Sequence, residues 1–399
     1  MAQSISRPMR RERNWRRPNL AGALPGVLLL AAAATQAHAA QPGAAAQKAR
    51  QATASSATPH LSYQQEPRYG AQEQAAQRIL EAQIRALGSA FNGDIGIAVK
   101  DIESGWTAAY DGNTLFPQQS VSKFWVALTA LDKVDKGELS LGRAVTLTKA
   151  DMTLFHQPIA QQIGPNGYST TIESLMTRAI QQSDNTCNDF VLWRAGGPEA
   201  VRSFLREKGL SGIRFGPGER LLQSRIAGME WNQSYAYNGR FYAARNAVPA
   251  SARRAAFERY ISDPMDGATP LGTVEALAKL KKGELLSPAS TQKLLSIMSN
   301  TKTGAQRLKG GLAPGWRLAH KTGTGQVLGG EQAGYNDIGI VTAPDGRSYA
   351  VAVLIRRTGA PLGHRMAVMQ NTVRSVISYH GNLEGYDFAR TRFGGSASR

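Results

Sequence analysis

Three short polar motifs carry the residues that could do chemistry. Ser120-Val121-Ser122-Lys123 places a hydroxyl and an amine three residues apart, about one helical turn, so both can share a face. Ser183-Asp184-Asn185 adds a second hydroxyl with hydrogen-bonding neighbours, and Lys321-Thr322-Gly323 adds a second cation beside an alternating stretch. Together they could open an amide through an acyl-enzyme: a nucleophile, a lysine to take its proton, and a hydroxyl to protonate the leaving nitrogen.

Each residue has an expected role. Ser120, at the start of a helical pattern, is the nucleophile, and the helix dipole favours negative charge developing there. Lys123 accepts its proton. Ser183 relays a proton, and Asn185 donates to a substrate carbonyl and touches Lys123. Lys321 and Thr322 bind a substrate carboxylate. Gly323 lets a substrate backbone lie along the strand edge, and the N–H groups of Ser120 and Thr324 form an oxyanion hole.

Each motif also has a blander reading. Ser-Asp-Asn by itself is a helix N-cap. Ser290-Thr291-Gln292-Lys293 repeats the first spacing inside a helical stretch and reads as a solvated face. Lys302-Thr303-Gly304 repeats the third motif but follows a helix and begins a loop.

These motifs need elements to hold them. Ala75, Ile79, Leu80, Ile84 and Leu87 recur at helical spacing, so order begins near Ala71. Asp94 to Val99 and Trp106 to Tyr110 read as strands. Helical patterns fill the middle of the chain. Trp316 to His320, Asp337 to Thr342 and Tyr349 to Ile355 read as strands again, the last two joined by Pro344-Asp345-Gly346. A helix from about Pro361 to Tyr379 follows. Strands at both ends with helices between predict an α+β domain, one antiparallel sheet with an inserted helical lobe.

Residues 1–39 read as a secretory signal peptide. Six arginines precede an apolar run from Ala21 to Ala34 and the small-x-small pattern Ala37-His38-Ala39. That run is too short to span a bilayer comfortably, so no stable membrane insertion is expected after cleavage. Arg16-Arg17 admits twin-arginine export, but the residues after it favour the Sec route to the periplasm or beyond. Residues 40–71, rich in Ala, Gln, Ser and Pro, read as a disordered tether, 72–385 as the catalytic domain, and 386–399 as a disordered tail. The 399-residue chain carries a formal charge of +18, which falls to +13 without the leader's six arginines and Glu12. No basic run with interleaved aromatics suggests a nucleic-acid groove. The single cysteine, Cys187, permits no internal disulfide and reads as a core residue. No cluster has metal-ligand spacing, so neither metal nor cofactor is expected.

With these motifs in order, residues 72 to 380 resemble class A serine β-lactamases and the wider penicillin-recognising hydrolases. Phe116-Pro117 ahead of the nucleophile, Leu286-Ser287-Pro288-Ala289-Ser290 through Thr303-Gly304, and Tyr335-Asn336-Asp337-Ile338 add to the likeness. The resemblance implies a transpeptidase-like fold: a five-stranded antiparallel sheet flanked by helices, an all-helical lobe, and a site between them. It implies a monomer acting on small β-lactams, and it places Arg307 behind the substrate carboxylate and His156 at the rim of the cleft. The family's deacylating glutamate, counted from Asn185, falls on Glu219. Pro217 stands at the family's arginine position and Gln223 at its asparagine position. Forty-six residues separate Glu219 from Asp266, more than the family usually has, leaving an insertion at about 225–260 and Glu230 as a rival base. The insertion reads by default as a packed surface excursion. A D,D-peptidase acting on peptidoglycan stem peptides, or a penicillin-binding sensor that stays acylated, shares the acylation residues and is the alternative.

Overall fold

A computed structural model describes residues 68–393. The expected leader and most of the tether lie outside the described residues, as do the last six residues of the expected tail. The chain opens with α1 (Arg68–Ser89), β1 (Asp94–Asp101), β2 (Thr107–Tyr110) and β3 (Phe116–Pro117). The helical lobe follows: α2 (Lys123–Asp135), β4 (Ala144–Leu147), β5 (Tyr168–Thr171), α3 (Ile172–Gln181), α4 (Asn185–Arg194) and α5 (Gly197–Glu207). Next come α6 (Glu219–Ile226), α7 (Arg240–Ala247), α8 (Ala250–Ser262), β6 (Gly267–Ala268), α9 (Pro270–Lys281) and α10 (Pro288–Ser299). The chain closes with β7 (Arg317–Thr324), β8 (Val327–Leu328), β9 (Glu331–Thr342), β10 (Ser348–Thr358) and α11 (Leu362–Phe393).

The sheet runs β2-β1-β10-β9-β7, the five antiparallel strands expected, with the two-residue β8 added on β9 as a sixth. Side-chain alternation divides it between two cores. Ile95, Ile97, Val99, Val351, Val353 and Ile355 pack with Leu80 and Ile84 of α1 and Val373 and Val376 of α11. Their neighbours Ala98, Ala350, Ala352 and Leu354 face the other core, with Val274 and Leu277 of α9 and the lobe residues Phe124, Trp125 and Leu128. With both faces covered, β9 and β10 are buried along nearly their whole length.

Three boundaries differ from expectation. α1 begins at Arg68, inside the expected tether. α11 continues to Phe393, past the boundary at 385. β7 extends beyond His320 through Lys321, Thr322 and Gly323, because each pairs with β9 in register. Among the described residues, no helix is long and apolar enough to cross a membrane.

Candidate active site

Ser120 sits on a strained turn. Gln119 has φ +54° and starts a 3₁₀ turn, Gln119–Ser122, that leads directly into α2. A non-glycine residue in the left-handed region persists only where its surroundings hold it. Here the Gln119 N–H donates to Asp266 Oδ2 at 2.8 Å, and its side-chain Nε2 donates to the Tyr260 hydroxyl at 2.5 Å. Asn336 of β9 donates to the carbonyls of Pro117 at 2.7 Å and Gln118 at 3.0 Å, tying the approach to the sheet. Gly323 serves this contact too. A Cβ there would stand 2.3 Å from Gln118 O, so the glycine lets β7 close on the turn, and it does not line the cleft as expected.

Lys123 donates to Ser120 Oγ at 2.7 Å from a side chain with no exposed surface. Glu219 Oε2 is 3.8 Å from the same nitrogen. Glu219 occupies the first turn of α6, only 5% exposed, and its Oε1 accepts from Asn185 Nδ2 at 3.0 Å and Gln223 Nε2 at 3.1 Å. Gln223 Nε2 also donates to Gln119 Oε1 at 2.9 Å, and Gln223 Oε1 accepts from Gln326 at 2.9 Å. Behind Glu219, the buried Asp189 accepts its backbone N–H at 3.0 Å. Burial first, then the Glu219 charge, push the Asp189 carboxyl up to about 6.

Ser183 also has positive φ, +60°, and Lys321 Nζ donates to its hydroxyl at 2.9 Å. Asp184 caps α4 by accepting the Cys187 N–H at 2.9 Å, so the capping reading holds for the motif's middle residue. Asn185 departs from expectation. Its two amide hydrogens go to Glu219 and to Leu154 O at 2.9 Å, leaving Oδ1 without a hydrogen-bond partner. Lys321 departs as well. It is fully buried and bonds Ser183 and Thr322 O rather than facing the cleft. Burial, then Lys123 and Arg307, hold its ammonium well below the usual lysine range.

The cleft is lined instead by a cluster of threonines and one arginine, hydroxyls and a cation of the kind that can hold an anion. Thr322 and Thr303 share a hydroxyl contact at 2.7 Å. Arg307 donates to Gly323 O at 2.9 Å, Asn336 O at 2.7 Å and Thr324 Oγ1 at 2.6 Å, and lies 3.9 Å over the Tyr335 ring. The Lys302-Thr303-Gly304 repeat, read from sequence as a loop outside the site, therefore contributes Thr303. Ser290 and Thr291 of the other repeat are buried rather than solvated; Ser290 Oγ bonds Asp135 at 2.6 Å.

Ser120, His156, Ser183, Asn185, Glu219, Thr303, Arg307, Thr322 and Thr324 all line one cleft of about 570 Å³. His156 stands exposed at its edge, held by a 2.8 Å contact from Nε2 to Gln182 O. Glu230 is exposed in a separate cavity with Arg225 and Arg259, which removes it as the rival base. Cys187 is buried, and burial pushes its thiol up.

The insertion is more than a surface excursion. Tyr260 of α8 holds Gln119, and Tyr242 and Arg245 of α7 line the cleft. Gln119, Tyr260, Asp189 and Thr303 were missed from sequence. Only Thr303, inside a repeated motif, carried a signal that could have found it.

A model of the β-lactamase enzyme family matches residues 78–378. β-Lactamase VEB-1 of Pseudomonas aeruginosa is 29% identical over 304 residues, covering 76% of this chain and 91% of that protein. The crystal structure of a β-lactamase from Chitinophaga pinensis superposes with a TM-score of 0.60 at 29% identity, over 78% of this chain and 99% of that one. An ancestral class A β-lactamase structure superposes with a TM-score of 0.59 at 30% identity, over 75% of this chain and 99% of that one.

Proposed function

This chain belongs to the β-lactamase enzyme family, and from that we propose that it opens β-lactam rings through a Ser120 acyl-enzyme that Glu219 then hydrolyses. Ser120 attacks the lactam carbonyl carbon as its proton passes to Lys123. The N–H groups of Ser120 and Thr324 take the oxyanion. Ser183, hydrogen-bonded by Lys321, delivers a proton to the ring nitrogen as the C–N bond breaks, and the proton that Lys123 took from Ser120 replaces it. Thr303, Thr322, Thr324 and Arg307 hold the substrate carboxylate, whose charge draws Lys321 back toward its protonated form. Glu219 then takes a proton from a water that attacks the ester carbonyl, and returns it through Lys123 to Ser120 Oγ as the acyl C–O bond breaks.

The observation that carries this reading is the shared lysine: Ser120 Oγ at 2.7 Å and Glu219 Oε2 at 3.8 Å flank one buried amine. A base beside the nucleophile, fixed by two amide donors, argues against a D,D-peptidase or a binder that stays acylated. Export through the 1–39 signal to the periplasm belongs to the same proposal.

Steady-state nitrocefin hydrolysis and intact-protein mass spectrometry test it together. The expected result is rapid turnover by the parent enzyme and no penicillin adduct on Ser120→Ala. A stable adduct without turnover, cleavage of a D-Ala-D-Ala peptide with slow nitrocefin turnover, or labelling of Ser120→Ala would each refute it.

A further inference from the structure

One cation in the cleft has no counterpart in the proposed mechanism. Lys123 serves Ser120 and Glu219, Lys321 serves Ser183, and Arg307, fixed by Gly323, Asn336 and Thr324, serves the ring carboxylate. Among the described residues Arg245, which also lines the cleft, has no ion-pair partner and no side-chain hydrogen bond, and its Nε is buried without a partner. Its recorded contact is with an aromatic ring: the guanidinium lies 5.3 Å over Tyr242.

The sequence places this arginine deliberately. Phe241 is 1% exposed and anchors α7 by packing edge-on against Phe155, ring centroids 4.8 Å apart, beside Leu154 and Ala227. Tyr242 and Arg245 are three residues apart on that helix and share a face. With Phe241 turned into the lobe, that face meets the cleft, where Phe155, His156 and Val327 complete the wall. A planar cation braced by a ring, with its fork unpaired, suits a carboxylate. The ring carboxylate of a β-lactam already has the threonines and Arg307, so a second carboxylate must come from elsewhere on the substrate. The acyl substituent on the lactam amide is the remaining part that can carry one.

We propose that Arg245, braced by Tyr242, forms a subsite that selects substrates with a carboxylate on the acyl side chain. This rests on the β-lactamase reading, but binding tests it apart from turnover. In full-length Ser120→Ala protein, dissociation constants are measured by calorimetry for benzylpenicillin and for its analogue carboxylated on the side-chain α-carbon. Adding Arg245→Gln should cut the preference for the carboxylated compound about tenfold, the scale of one charge-assisted hydrogen-bond pair. Arg245→Lys should restore part of it, and raising salt should shrink it in the Arg245 protein. An affinity ratio unchanged by Arg245→Gln overturns the subsite. Absence of nitrocefin turnover in the parent enzyme refutes the lactamase reading instead.

Discussion

Ser120 and Lys123 lie one turn apart and bond at 2.7 Å, whereas Glu219 reaches the same lysine from a short helix far along the chain. The half of the site proposed to acylate is built from regular elements, with local strain at Gln119 and Ser183, and its lysines bond hydroxyls directly. The deacylating half is held by side-chain amides. Gln223 joins Glu219 to Gln119 and Gln326; Tyr260 and Asp266 then fix Gln119. α6 itself is eight residues long and rests on α8 through Leu222, Ile226, Phe257 and Ile261. On the proposed mechanism, the difference teaches that forming the acyl-enzyme is written into three motifs, while breaking it depends on the fold of the insertion.

Glu219→Gln separates the two halves most strongly. The amide keeps an oxygen for Asn185 and Gln223 but cannot take a proton from water. Turnover should fall about a thousandfold, with the acyl-enzyme accumulating as a stable mass adduct. If no adduct accumulates, the two halves are not separable in this way. Gln223→Ala should act in the same direction and less. Removing it leaves Gln119 Oε1 and Gln326 Nε2 without that partner and frees one side of Glu219. We expect kcat to drop about 10- to 100-fold from misplacement, with deacylation slowed more than acylation in stopped-flow measurements. Equal slowing of both steps would assign Gln223 to the nucleophile turn instead.

Much of the acylating half was legible because its signals are local. Alternation in Val351, Val353 and Ile355 marks a strand without knowledge of its partners, and Ser120 and Lys123 state their own spacing. Context alone misjudged the repeats, since following a helix did not keep Thr303 from Thr322. Glu219 was found by counting, and Gln223 came with it. Nothing in the sequence marks Gln119 as left-handed, because glutamine has no preference for that region. Tyr260 carries no mark in the sequence, since its meaning lies in a bond to a residue 141 positions away. Asn185 was assigned to the substrate, yet its hydrogens were claimed by Leu154 and Glu219, a competition visible only once three segments meet.

Asp189 gives the smallest expected effect on turnover, and it tests whether the deacylating half stores electrostatic strain. Its carboxyl accepts the Glu219 N–H from a buried position, and burial, then the Glu219 charge, raise it from 3.8 to about 6. Arg220 and Lys123 pull it the other way. A folded-state carboxyl that holds its proton more tightly than the unfolded chain lends stability below pH 4. That stability is lost as pH rises from about 4 to 6 and stays lost above it. The displacement corresponds to at most about 3 kcal/mol. Asp189→Asn keeps an oxygen for the Glu219 N–H and does not titrate. Denaturant unfolding should therefore show little gain for the variant at pH 4 and a gain approaching that figure at pH 7 to 8, with kcat changed less than about threefold. A gain independent of pH would mean that Asp189 carries no charge penalty. Glu219 would then be held by hydrogen bonds alone, with no opposing carboxylate behind it.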